Sequence, residues 1–81
     1  MNKRGMADLT AMDAQCIIAF ADNGMRMYKA AEAIYTHRTN IRYHLRRTRE
    51  KTGKDPWNPL DLAELLPLAH EIVEMEENAR K

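Results

Sequence analysis

Four arginines at helical spacing, Arg38, Arg42, Arg46 and Arg49, are the side chains of this sequence best suited to a chemical task. A guanidinium stays charged at physiological pH and holds its donors in a planar fork. It therefore fits two phosphate oxygens or the edge of a guanine. On a 100° wheel the four form one stripe along a helix flank. Ile41, Leu45, Thr48 and Thr52 fall together on the inner face, with His44 at its edge, while Asn40 and Arg47 take the opposite flank. Thr39, Tyr43, Arg46 and Glu50 point outward. An apolar back and a front of guanidinium, hydroxyl, amide and phenol groups suit the major groove of duplex DNA, which is about 12 Å wide and admits one α-helix. The first residues of such a helix come closest to the bases. Arg38, Thr39, Asn40, Arg42 and Tyr43 are thus expected at or near bases, and Arg46, Arg47 and Arg49 at phosphates. His37 is expected to cap the helix or touch a phosphate. Arg26 and Lys29, with the backbone N–H groups that open the preceding helix, are expected to hold a neighbouring phosphate.

The charge distribution agrees with this. The net charge of the 81 residues is only +1. Residues 26–54, however, carry nine basic side chains against Glu32 and Glu50, whereas residues 55–81 carry seven acidic ones against Arg80 and Lys81. A neutral chain with a concentrated basic middle is what a polyanion-binding surface requires.

Other chemistries find little support. His37 and His44 are seven residues apart, no Cys or carboxylate completes a ligand set beside them, and His70 is remote, so no metal is expected. No nucleophile–base pair, carboxylate pair or Gly-rich phosphate loop stands out, so neither an enzyme nor a cofactor is expected. Cys16 is the one cysteine; among Ile17, Ile18 and Phe20 it reads as a small core residue. A lone thiol and the lack of a long apolar run favour a soluble, cytoplasmic setting.

The elements that must hold the arginine helix follow from caps and periodicity. Residues 1–8 are polar and unpatterned and read as a disordered arm; the domain is expected over 9–73, with an acidic, fraying tail over 74–81. Thr10 and Asp13 announce a first helix, with Leu9, Met12, Cys16 and Phe20 as its apolar stripe and Asn23-Gly24 as its stop. A short second helix runs from Met27 to Ile34, rich in alanine. Tyr35-Thr36-His37 has the length of the turn in a helix-turn-helix. The third helix spans 38–52 and ends at Gly53. Asn58-Pro59 caps a fourth, with Leu62, Leu65, Leu66, Ala69, Ile72 and Val73 inward, which Pro67 is expected to kink or break. No strand-like alternation is visible. The fold expected is all-α, a bundle of four to five helices containing a helix-turn-helix without a wing.

From Asn23 to Ala69 the chain resembles the C-terminal helix-turn-helix domain of the PucR/CdaR type, the purine-catabolism and sugar-diacid regulators. The residues that carry the resemblance are Asn23-Gly24, Ala30-Ala31, the run His37-Arg38-Thr39-Asn40-Ile41-Arg42-Tyr43-His44-Leu45-Arg46-Arg47-Thr48, and Thr52-Gly53. The resemblance implies a Fis-like helix-turn-helix and a role in bacterial transcription control. This chain departs from the family pattern in the inverted pair Thr39-Asn40, in His44 for arginine, in Thr48 for an apolar residue and in Met25. The large sensory region usual upstream in the family does not lie within these residues, so no small-molecule effector site is expected. One helix-turn-helix makes limited contact, so a homodimer on paired half-sites is expected, with the last helix or the Leu9–Phe20 segment as its surface. The alternative from another class is a protein–protein interaction module built on the same scaffold.

Overall fold

The computed structural model describes residues 8–80 and contains four helices: α1 (Ala11–Asp22), α2 (Met27–Ala33), α3 (Arg38–Thr52) and α4 (Pro59–Arg80). The fold is all-α, and among the described residues there is no strand. Apart from Asp8, the expected arm lies outside the described residues.

Helix α1 starts with a reciprocal capping box. The Thr10 hydroxyl accepts from the Asp13 backbone N–H at 3.1 Å, and the Asp13 carboxylate accepts from the Thr10 N–H at 2.9 Å. Two donors that the first turn would otherwise leave orphaned are satisfied. The helix ends in a Schellman motif: Met25 N–H returns to Phe20 O and Gly24 N–H to Ala21 O, with Gly24 at φ 67°. Helix α2 ends the same way, Thr36 N–H to Ala31 O and Tyr35 N–H to Glu32 O. The left-handed position is here taken by Tyr35 at φ 56°, where glycine is usual. That turn sets α2 against α3.

Helix α3 is capped by His37, whose Nδ1 accepts from the Thr39 N–H at 3.1 Å, and it stops at Gly53 with φ 78°. Ile41, Leu45 and Thr48 are buried and Thr52 half-buried. The buried threonine is not left unsatisfied, because its hydroxyl donates to the carbonyl of His44 at 2.9 Å. Asn58 caps α4, its side-chain oxygen accepting from the N–H groups of Leu60 and Asp61.

Helix α1 is the central element: it packs on each of the other three, α2 also packs on α3, and α4 packs chiefly on α1. Ile17, Phe20, Ile41, Leu45 and Leu65 are the largest apolar side chains sealed inside. Ala30 and Ala31 are buried, the small residues that let α2 come close. Trp57 covers the core from the loop before α4, edge-on to Phe20 at 6.2 Å between centroids. Cys16 is fully buried; burial, aided by the Asp13 charge, pushes its thiol up to about 12, so it is a core residue rather than a nucleophile.

Three expectations need correction. Met12 is exposed, and its neighbour Asp13 turns inward instead. Helix α4 is not broken at Pro67: Pro67 and Ala63, whose carbonyl loses its helical partner, both lie on the exposed side, where water can take that bond. The acidic segment does not fray at Val73, since α4 continues to Arg80. The helix packing of Leu62 to Val73 carries the polar turns beyond it.

Candidate nucleic-acid interface

Helix α3 shows two different flanks. On one, Arg42, Arg46 and Arg49 are exposed and line an open cleft of about 310 Å³ with Met27 and Trp57. None of the residues lining this cleft is acidic. Three guanidinium groups at successive turns of one helix, without a carboxylate among them, repel each other until an anion joins them. Trp57 and Met27, which also line it, pack against the core, so the cleft is not set by the arginines alone.

On the other flank the side chains turn inward. Asp13 of α1 is fully buried and meets His44 and Arg47 of α3. His44 Nδ1 lies 2.6 Å from Asp13 Oδ1, and Arg47 Nε donates to the two carboxylate oxygens at 3.3 and 3.2 Å. The Arg47 Nη2 donates further to the backbone carbonyl of Asp8 at 2.9 Å. Burial alone pushes the Asp13 carboxyl up. The Thr10 N–H, His44 and Arg47 outweigh it and hold the group below its ordinary value of 3.8. Asp13 is then an ionised acceptor at neutral pH, with Nδ1 of His44 and Nε of Arg47 facing it. Arg47, expected at a phosphate, is thus engaged with the scaffold.

The N-terminal end of α3 is held from α2. The Arg38 guanidinium stacks over the ring of Tyr28, 4.5 Å from its centroid, and donates to the Tyr28 hydroxyl. Tyr28 was absent from the sequence candidates. It lies on α2 one turn before the buried Ala31 and is 65% exposed. Thr39 and Tyr43 are exposed on the outer face, as expected, and Tyr43 stands edge-on to His44 at 5.0 Å. Asn40 is half-buried and donates to the Thr36 hydroxyl at 3.0 Å, tying the turn to the helix rather than standing clear. His37 serves as the cap. Arg26 and Lys29 are exposed at the start of α2, a helix of seven residues whose N-cap makes no side-chain bond. Lys54 is paired with Glu64 at 2.7 Å.

The structure therefore brings Arg38, Thr39, Arg42, Tyr43, Arg46 and Arg49 onto one continuous exposed side of α3, and sets Asn40, His37 and Arg47 to internal tasks. Among the described residues, no three His, Cys, Asp or Glu side chains gather as a metal site, and no helix is long and apolar enough to cross a membrane.

A family model described as the PucR C-terminal helix-turn-helix domain matches residues 14–67, which include the whole of α2 and α3. No curated protein and no solved structure matches the chain.

Proposed function

The chain belongs to the PucR C-terminal helix-turn-helix domain family, and on that premise we propose that it is a sequence-specific reader of double-stranded DNA in a bacterial transcription regulator of the cytoplasm, with α3 in the major groove. The observation that carries this reading is the two-sided build of α3. One flank is fixed to α1, and the other offers Arg42, Arg46 and Arg49 over a cleft with no acidic side chain among its lining residues.

In this reading Arg38, Thr39 and Tyr43 approach base edges, and Tyr28 holds Arg38 in place for it. Arg42 lies between bases and backbone. Arg46 and Arg49 take phosphates of one strand, and Arg26 and Lys29 lie near the other end of the footprint. Phosphate contacts set register and affinity, while base contacts set sequence.

A homodimer is part of the proposal. Of the Leu9–Phe20 stripe, Leu9, Cys16 and Phe20 are buried in the fold and only Met12 is exposed, which makes it the weaker candidate for the dimer surface. The exposed apolar side chains of α4, Leu60 at 77% and Met75 at 58%, support that helix instead. Sedimentation with and without DNA checks it: the proposal expects two chains per duplex, and one chain per duplex at saturating protein contradicts it.

Amide NMR during titration with a duplex tests the placement of α3. The proposal expects the largest shifts at residues 38–49. Shifts centred on α4, with 38–49 unmoved, would instead favour a protein-interaction module on this scaffold.

A further inference from the structure

A helix that reads bases must be fixed in rotation as well as in position. With an overall radius of about 5–6 Å, a 10° turn of an α-helix about its axis moves its outer surface by about 1 Å. That is the order of misplacement at which a recognition contact is lost. The buried apolar contacts of α3, through Ile41 and Leu45, are non-directional.

Beyond its first turn, where Arg38 bonds Tyr28 and Asn40 bonds Thr36, the directional side-chain contacts of α3 to the rest of the fold lie on one flank. Among the described residues, Asp13 is the only charged side chain that is buried. Its oxygens accept from Thr10 N–H of α1's own cap and from His44 and Arg47, three residues apart on α3. Arg47 extends the clasp to the Asp8 carbonyl. The acceptor is itself locked, because its carboxylate is half of the α1 capping box.

We propose that Asp13 is a positioning residue for base reading: through His44 and Arg47 it fixes the rotation of α3, and Arg47 acts on DNA only through this clasp. The inference rests on the DNA-reading proposal. Asp13 stands one residue before the stretch matched to the family, so the role comes from the geometry. It also divides the arginines of α3 into two kinds that differ in a measurable way. An arginine on a phosphate releases counterions, so its loss lowers the salt slope of binding by about 0.9. An arginine on Asp13 releases none.

The test uses the full chain and the variants Arg47→Gln, Asp13→Asn and Arg46→Gln. Affinity is measured for a site selected by the wild type and for a random duplex, at several salt concentrations. The temperature is one at which circular dichroism shows each variant folded. The clasp predicts that Arg47→Gln leaves the salt slope unchanged and lowers the ratio of site to random affinity by about tenfold, the discrimination of one base contact. Asp13→Asn should do the same. Arg46→Gln should lower the slope by about 0.9 and weaken both duplexes alike. If Asp13→Asn does not fold, Arg47→Gln decides alone. A fall in slope with Arg47→Gln and an unchanged ratio would make Arg47 a phosphate contact and overturn the clasp. A lowered melting temperature with an unchanged ratio would leave the clasp merely structural, which also overturns it. A wild type with no site preference is the separate failure of the DNA-reading proposal, and the positioning role falls with it.

Discussion

An arginine can serve recognition only while it has no better partner inside the protein, and the arginines of α3 divide on this ground. Their helical spacing, the apolar back of α3 and the place of His44 at the core edge were all legible in the sequence. The Asp13 clasp was not. Asp13 was fully accounted for by its local cap with Thr10, and no short-range pattern announces a partner 31 or 34 residues away. The burial of Asp13 carries a stability prediction. A carboxyl held below its ordinary value contributes stability that is complete above pH 3.8 and is lost as the pH falls through its folded value. Thermal melts of the wild type and Asp13→Asn should therefore lie apart at pH 7 and converge in acid. A gap that stays constant down to the lowest pH contradicts this. At pH 7, Asp13→Ala should cost about 2–3 kcal/mol, since it leaves His44 and Arg47 without their acceptor, although both are partly reached by water.

The elements were read well where a cap marks them. Thr10 with Asp13, Asn58 with Pro59, and Gly53 each stand at the boundary their chemistry specifies. A local rule misleads where the tertiary setting decides. Pro67 costs its helix a bond, but on the exposed side that loss is mild, and the apolar stripe to Val73 holds the helix together. The end of α2 makes the opposite point. Tyr35 occupies the left-handed position of a Schellman motif while 96% exposed, so its side chain returns no packing for the strain. Tyr35→Gly should raise stability by about 1 kcal/mol, a gain of about 4–8 °C in Tm for a domain of this size. An unchanged or lower Tm would show that Tyr35 is not strained. Asn58→Ala should cost about 1 kcal/mol through loss of the α4 cap, again read by thermal melts.

At the scale of the molecule, the +1 chain is two differently charged surfaces on one small body of 32 × 30 × 18 Å. The sequence showed the segregation of charge along the chain, and the fold gives it a spatial meaning. The basic residues are concentrated on α3 and its approaches, and the acidic segment belongs to α4, which packs chiefly on α1. What the sequence did not show is that α1 is the hub through which α3 is held, since its stripe reads as ordinary core. Arg46 and Arg49 on phosphates imply at least two phosphate contacts, hence a log–log salt slope of about −1.8 or steeper for the single domain. The most direct measurement is selection of the purified chain on random duplex pools at two salt concentrations, with the retained DNA sequenced. The account predicts enrichment of one defined half-site, weaker at high salt by at least that slope. Retention without enrichment, or no retention at low salt, would contradict it.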